Sequence, residues 1–170
     1  MDGPASVLFL CTGNASRSVI AGAALARRRP DLVLTTAGTL VIDGLPLSAR
    51  TRAALDDVGL NANGHQSKQA SAQMLATADL IVALAPEHLD WVRRNHRDEA
   101  ARSATLIHLT AHLPLPGAGP LERRIAALRL DHHIASDAEE IVDPGGGEVP
   151  LYVDVARQIV TLIDDLAPRL

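Results

Sequence analysis

The chain has 170 residues, enough for one domain with a substantial buried core. Apolar residues make up 47% and charged residues 21%, close to the average for a soluble globular protein, and the net charge of −4 with scattered basic residues speaks against a nucleic-acid binder. No apolar run approaches the length of a membrane span, which excludes a bundle of transmembrane helices.

At the amino end, MDGPASVLFLC lacks a basic n-region and predicts no signal peptide. Cys11 is the only cysteine, so no internal disulfide can form and a cytoplasmic location is expected. SVLFL (Ser6–Leu10) is a continuous apolar run, the pattern of a strand buried on both faces. CTGNASRS follows at 11–18, and SVIAGAALARRR then reads as a helix whose Arg27–Arg29 complement its carboxyl-terminal dipole.

LVLTT (Leu32–Thr36) predicts a second strand. SARTRAALDDVG predicts a helix with Ser48 as N-cap and Gly59 as its stop. ASAQMLATA precedes and PEHLDWVRRNH follows a third strand, LIVALA (Leu80–Ala85), with Pro86 suited to a first helical turn. ATLIHL (Ala104–Leu109) predicts a fourth strand. Thr110 to Gly147 is the least regular stretch, with one helical piece around LERRIAALR. From about Val149 to Leu166, Leu151, Val155, Ile159 and Leu162 or Ile163 recur at helical spacing. Strands alternating with helices imply right-handed βαβ units and a parallel sheet in one α/β domain over 1–170, with ligands bound beyond the carboxyl ends of the strands.

Cys11 falls at such an end, with a helix expected to begin near Arg17. Gly13 and Asn14 are the residue types that tolerate left-handed backbone angles in the sharp turn between. Such a turn aims successive N–H groups into one concavity, a nest for a tetrahedral oxyanion, and the helix N-terminus adds partial positive charge. Arg17 supplies a planar fork for two oxygens of that anion. The same field favours a thiolate at Cys11, and the Ser18 hydroxyl is placed to bond the sulfur. A lone cysteine at a strand end is most often a small buried apolar residue; the Gly, Asn and Arg at these spacings reverse those odds. The nucleotide-binding GxxxxGK[ST] pattern and a Rossmann fingerprint are both missing.

CTGNASRS after the first strand resembles the Cys-x5-Arg-Ser loop of low-molecular-weight protein tyrosine phosphatases. The resemblance extends through TAGT (Thr36–Thr39), GHQSK (Gly64–Lys68), ADLIVAL (Ala78–Leu84) and VDPGGG (Val142–Gly147), the last in the DPxGG form of bacterial members. It implies a three-layer domain, a four-stranded parallel sheet of flavodoxin-like order with helices on both faces. It also implies Cys11 as nucleophile of a cysteinyl-phosphate, with Arg17 and the loop of Thr12, Gly13, Asn14, Ala15, Ser16, Arg17 and Ser18 holding the phosphoryl oxygens. Asn14 would shape the loop through Ser18 and Thr36, and Asp143 would act as general acid and then base. Pro144 restricts Asp143 to extended angles, and the glycines after it free the loop to fold over the site. The resemblance implies hydrolysis of protein phosphotyrosine, with a phosphorylated protein or small phosphoester as substrate, in a monomer or weak dimer, with no metal or cofactor.

This sequence departs from the family's usual pattern in places. Ser16 stands where a second cysteine often lies, Val19 replaces a proline, and Gly22 replaces an acidic residue at some cost to the helix. Ala15 is small, and TLVIDGLPL and the glycines after Pro144 lack the aromatic residues that flank a phosphotyrosine ring, a substrate moiety that stacking would orient. Phosphoarginine is therefore a second substrate class. Two other readings are a small-thiol-coupled arsenate reductase on the same fold and a non-catalytic phosphate sensor. His132 and His133 with Asp131, Asp137, Glu139 and Glu140 match no zinc spacing and read as a solvated acidic loop. His65 reads as structural, Trp91 as packing and Lys68 as a surface charge.

Overall fold

Four short strands form the centre of the molecule in the computed structural model, which describes residues 3–170. They are β1 (Ser6–Cys11), β2 (Val33–Gly38), β3 (Leu80–Ala83) and β4 (Ser103–Thr105); the edge strand β2 is only partly buried. All pairings are parallel, in the order β2-β1-β3-β4, so β1 lies between β2 and β3. Its side chains alternate between two apolar layers, as the twofold period of a strand requires. Val7, Phe9 and Cys11 enter the larger layer, and Leu8 and Leu10 the smaller. Burial on both faces is why the strand reads as an unbroken apolar run.

The larger layer is covered by α1 (Arg17–Arg28), α2 (Ala49–Asp57), α5 (Leu106–His112) and α7 (Val149–Leu166); α7 packs against the other three. The smaller is covered by α3 (Ala72–Thr77) and α4 (Pro86–Asn95), where Trp91 packs on the cluster containing Leu75 and Val92. A short α6 (Leu121–Ala127) lies in the irregular stretch before α7. These are helices on both faces of a parallel sheet, the expected three layers. The stripe of α7 is Tyr152, Val155, Ala156, Ile159, Ile163 and Leu166, whereas Leu151 is partly exposed and points away from the expected face.

Local chemistry sets several boundaries. The Ser48 hydroxyl accepts the Thr51 N–H at 3.1 Å at the start of α2, and Gly59, with φ of +67°, follows its end. Pro86 occupies the first turn of α4. The expected fourth strand over Ala104–Leu109 is corrected: only Ser103–Thr105 pairs with β3, and Leu106 begins α5. Thr105 causes the switch, since its hydroxyl accepts the His108 N–H at 3.1 Å and caps a helix inside an apolar run. Gly22 also has a packing reason. A Cβ there would lie 2.7 Å from Thr36 Cγ2, so α1 approaches β2 more closely than any larger residue allows. Among the described residues, no helix is long and apolar enough to cross a membrane.

Candidate active site

The loop from Cys11 to Ser18 connects β1 to α1 at the carboxyl edge of the sheet. Arg17 is the first helical residue, as expected. The left-handed angle falls on Asn14 alone (φ +49°); Gly13 does not adopt a positive φ. A left-handed non-glycine residue costs about 1–2 kcal/mol and persists only where its surroundings fix it. Asn14 is fully buried and fixed on every side. Its Oδ1 accepts the Lys68 backbone N–H at 2.9 Å, which orients the amide. Its Nδ2 then donates to Ser18 Oγ and to Thr36 Oγ1, both at 3.0 Å. Its carbonyl lies 2.8 Å from His65 Nε2 and accepts from Ser67 Oγ at 3.3 Å.

Cys11 Sγ lies 3.0 Å from Ser18 Oγ and is buried. Because Asn14 Nδ2 already donates to that oxygen, the Ser18 hydroxyl proton is available to the sulfur. Arg17 is 2% exposed; its Nη1 donates to the Ile141 carbonyl at 3.0 Å and its Nη2 to Asp143 Oδ2 at 2.9 Å. Asp143 is 55% exposed. Its Oδ1 accepts the Gly145 N–H at 2.9 Å, a turn that holds the carboxylate over the loop. The Ile141 N–H donates to the Leu84 carbonyl at 3.0 Å, anchoring this late segment to the end of β3. Cys11, Arg17 and Asp143 therefore meet at one edge of the sheet, with Asn14, Ser18 and Thr36 beneath them. Thr12 is turned aside, its hydroxyl bonded to Glu87 at 3.2 Å and 3.0 Å from His88 Nε2, and Ser16 Oγ is buried without a partner among the described residues.

Several supports are invisible in the spacing of the motif. The Thr51 hydroxyl donates to the Ala15 carbonyl at 2.9 Å, and the Leu40 N–H to the Thr12 carbonyl at 3.0 Å. Gly38 admits no side chain, since a Cβ would lie 2.4 Å from the Thr12 carbonyl and 2.9 Å from the Asn14 nitrogen. His88 is almost fully buried on α4 beneath Thr12. Burial, then the Arg17 charge, push its pKa down to about 3 against the opposing pull of Asp143, so it is a neutral hydrogen-bonding group. The GHQSK stretch did mark His65, which bonds the loop, and Lys68, which is exposed and contributes its backbone.

The reading of the late loop as solvated needs correction for two residues. Asp131, His132, Asp137 and Glu140 are exposed. His133 and Glu139 are instead partly buried and bonded to each other, because the chain folds back against α5.

Comparison with known proteins places these residues in a wider group. The family profile described as "Low molecular weight phosphotyrosine protein phosphatase" matches residues 6–115. A protein-arginine-phosphatase of Geobacillus stearothermophilus is 25% identical over 168 residues, covering 98% of this chain and 97% of that protein. The low molecular weight protein-tyrosine-phosphatase Etp of Escherichia coli is 32% identical over 87 residues, covering 51% of this chain and 59% of that protein. Among solved structures, the YwlE arginine phosphatase from Geobacillus stearothermophilus superposes with a TM-score of 0.76 at 25% identity, covering 96% of this chain and 91% of that one. A low molecular weight protein tyrosine phosphatase from T. tengcongensis has the same fold, with a TM-score of 0.78 at 23% identity over 98% of this chain and 99% of its own.

Proposed function

The chain belongs to the low molecular weight phosphotyrosine protein phosphatase family, and from that membership we propose that it hydrolyses phosphorylated protein side chains through a cysteinyl-phosphate formed on Cys11. The observation that carries this reading is the meeting of Cys11–Ser18 (3.0 Å) and Arg17–Asp143 (2.9 Å) around one loop.

In the first step the Cys11 thiolate attacks phosphorus in line with the leaving atom, and the loop amides and Arg17 hold the three equatorial oxygens. Of the five guanidinium N–H donors, the two bonded to Ile141 and Asp143 fix the plane, leaving others free for phosphoryl oxygens. Asp143, in its protonated form, gives its proton to the leaving oxygen or nitrogen and is left as the carboxylate that serves in the second step. In the second step Asp143 takes a proton from water, the water oxygen attacks phosphorus, and the sulfur departs as a thiolate that Ser18 Oγ–H stabilises. Positioning and electrostatics carry this chemistry, so no metal or cofactor is assigned to it. Asp143 favours hydrolysis over arsenate reduction, because thiol attack on arsenate has less need of a general acid. Retention of Cys11, Arg17 and Asp143 together argues against a sensor without activity.

For the substrate, the aromatic side chains decide. Phe9 is buried under the sheet, Trp91 packs on the smaller core and Tyr152 is buried on α7, so none is free to sandwich a phenyl ring. Beside the loop stand aliphatic residues: Leu40, next to the Thr12 carbonyl, is 78% exposed, and Val142, next to Asp143, is 51% exposed. An aliphatic rim suits the flexible methylene stem of phosphoarginine at least as well as a phosphotyrosine ring, in keeping with the arginine phosphatase among the relatives. The proposal places the enzyme in the cytoplasm, as one domain over 1–170 in a monomer or weak dimer.

The test is steady-state hydrolysis of p-nitrophenyl phosphate, a phosphotyrosine peptide and a phosphoarginine peptide by the reduced protein. Cys11→Ser should abolish turnover with the fold intact, and Asp143→Asn should lower kcat by about 10²–10⁴-fold. Wild-type rates in Cys11→Ser would refute the mechanism, and a phosphotyrosine preference would refute the substrate assignment.

A further inference from the structure

Away from the phosphatase site, two histidines and a glutamate converge at the start of α5. His108, His133 and Glu139 each place a ligand-capable atom within 4.8 Å of the others, and all three are partly buried. We propose that they form a binding site for a zinc-class dication, with a fourth coordination position left for water or for a shift of His112.

The arrangement is built rather than incidental. The His108 and His133 rings stack at 3.8 Å with 28° between their planes, and His112, one helical turn on, packs against His108 with ring centroids 4.5 Å apart. Close stacking disfavours two imidazolium charges, and each neutral imidazole carries one nitrogen lone pair. His133 Nε2 lies 2.9 Å and 3.1 Å from the two Glu139 oxygens. Glu139 is itself oriented by the Thr105 hydroxyl and, at 3.3 Å, by the Ser136 N–H. This is the supporting hydrogen bond that ligating carboxylates generally have. His133 is held from behind, since the Arg93 guanidinium on α4 donates to its carbonyl and, at 2.9 Å, to that of Leu130.

Two imidazoles and one carboxylate are borderline ligands that suit Zn²⁺, Co²⁺ or Ni²⁺ and are poor for Mg²⁺ or Ca²⁺. Ligand atoms around zinc stand about 2.0–2.2 Å from the metal, so closing from the present spacing takes side-chain shifts of about 1 Å. A dication takes the place of the Nε2 proton of neutral His133, which moves to Nδ1 as the ring changes tautomer, so that Nε2 and Glu139 both face the metal.

The position gives the site a consequence. His133 and Glu139 lie on the segment that runs directly into Ile141 and Asp143, whereas His108 lies on α5. Bound metal would tie the segment bearing Asp143 to the helix that follows β4.

The experiment uses Cys11→Ser protein, so that the thiolate cannot compete for metal and the outcome is independent of the phosphatase assignment. Chelator-treated protein is titrated with ZnCl₂ by calorimetry and with CoCl₂ by visible absorption. One equivalent should bind, with the visible band of low-symmetry Co²⁺ and a raised Tm. His108→Asn and Glu139→Gln, which keep a polar side chain of similar length, should each weaken binding at least roughly tenfold, while circular dichroism reports an unchanged fold. No saturable binding up to about 1 mM metal, where affinity falls to about −4 kcal/mol, would overturn the proposal. Binding undiminished in both variants would do the same and leave the cluster as a hydrogen-bonded brace.

Discussion

Asn14 concentrates the stability of the catalytic loop in one side chain. Its left-handed backbone is the conformation that lets 11–18 reverse direction, and its amide reaches the β2 residue Thr36, the nucleophile's partner Ser18 and the backbone at Lys68. Asn14→Ala removes all three bonds and keeps a Cβ in a strained region. At about 1 kcal/mol for each buried bond, the expected loss is about 2–4 kcal/mol in urea unfolding, with a fall in kcat because Ser18 loses its orienting donor. Asn14→Gly loses the same bonds without the strain and should retain about 1 kcal/mol more than the alanine variant. Equal losses would mean that the backbone angle carries no strain. The left-handed angle of Asn14 was legible in the sequence, because asparagine tolerates it in a sharp turn, while its bonds to Ser18 and Thr36 were expected only from the family resemblance. The conformation of Gly13 was not legible, since glycine permits a positive φ without requiring one.

Among the elements, α4 makes the least expected contribution. PEHLDWVRRNH announces a helix through Pro86 and its apolar spacing, but nothing in it says that His88 enters the space beneath Thr12. Burial of that kind depends on where α4 lands against the sheet, which is a tertiary fact. β4 and α5 were misread for a related reason: apolar character continues across Thr105, and only the capping bond to His108 reveals the change of period. His88 makes a pH dependence testable. Its pKa is about 3 in the folded protein and about 6.5 in an unfolded chain. Below about 6.5 the unfolded chain takes up a proton that the folded one refuses, so stability present above that pH is lost as pH falls toward 3. Between about pH 7.5 and about pH 5 this amounts to at most about 2 kcal/mol. The groups facing His88 are Thr12 and Glu87 by contact and Arg17 and Asp143 by charge. In His88→Gln, which keeps a donor toward Thr12 and cannot titrate, the difference in unfolding free energy between the two pH values should shrink by up to that amount. Other titrating groups, His108 included, are common to both proteins and cancel. An unchanged pH slope would show that His88 is protonated without penalty.

At the scale of the molecule, the candidate site is a product of the sheet order rather than of any one motif. Arg17 bonds to residues 124 and 126 positions away, and the loop is braced by Thr36, Thr51, His65 and Lys68 from three further segments. Cys11 could be picked from the pattern of its own loop and Asp143 only through the family resemblance, since a DPG tripeptide alone is most often a turn, whereas Thr51 and Gly38 carry no local mark of the loop they hold. An oxyanion that binds only when those segments are assembled must therefore stabilise the whole fold. At a free concentration of about 100 times its Kd, inorganic phosphate should add about 2.7 kcal/mol, or about 5–10 °C in Tm for a chain of this size. Two variants separate site binding from a general salt effect. Arg17→Lys keeps the charge and loses the planar fork, so the shift should largely vanish. Asp143→Asn removes the carboxylate that shares the guanidinium, so the shift should be at least as large as in the wild type, although the same substitution cripples turnover. Opposite effects of these two changes on binding follow from an anion seated between Cys11 and Arg17. An equal shift with chloride at matched ionic strength, or one that survives Arg17→Lys undiminished, would place the anion elsewhere.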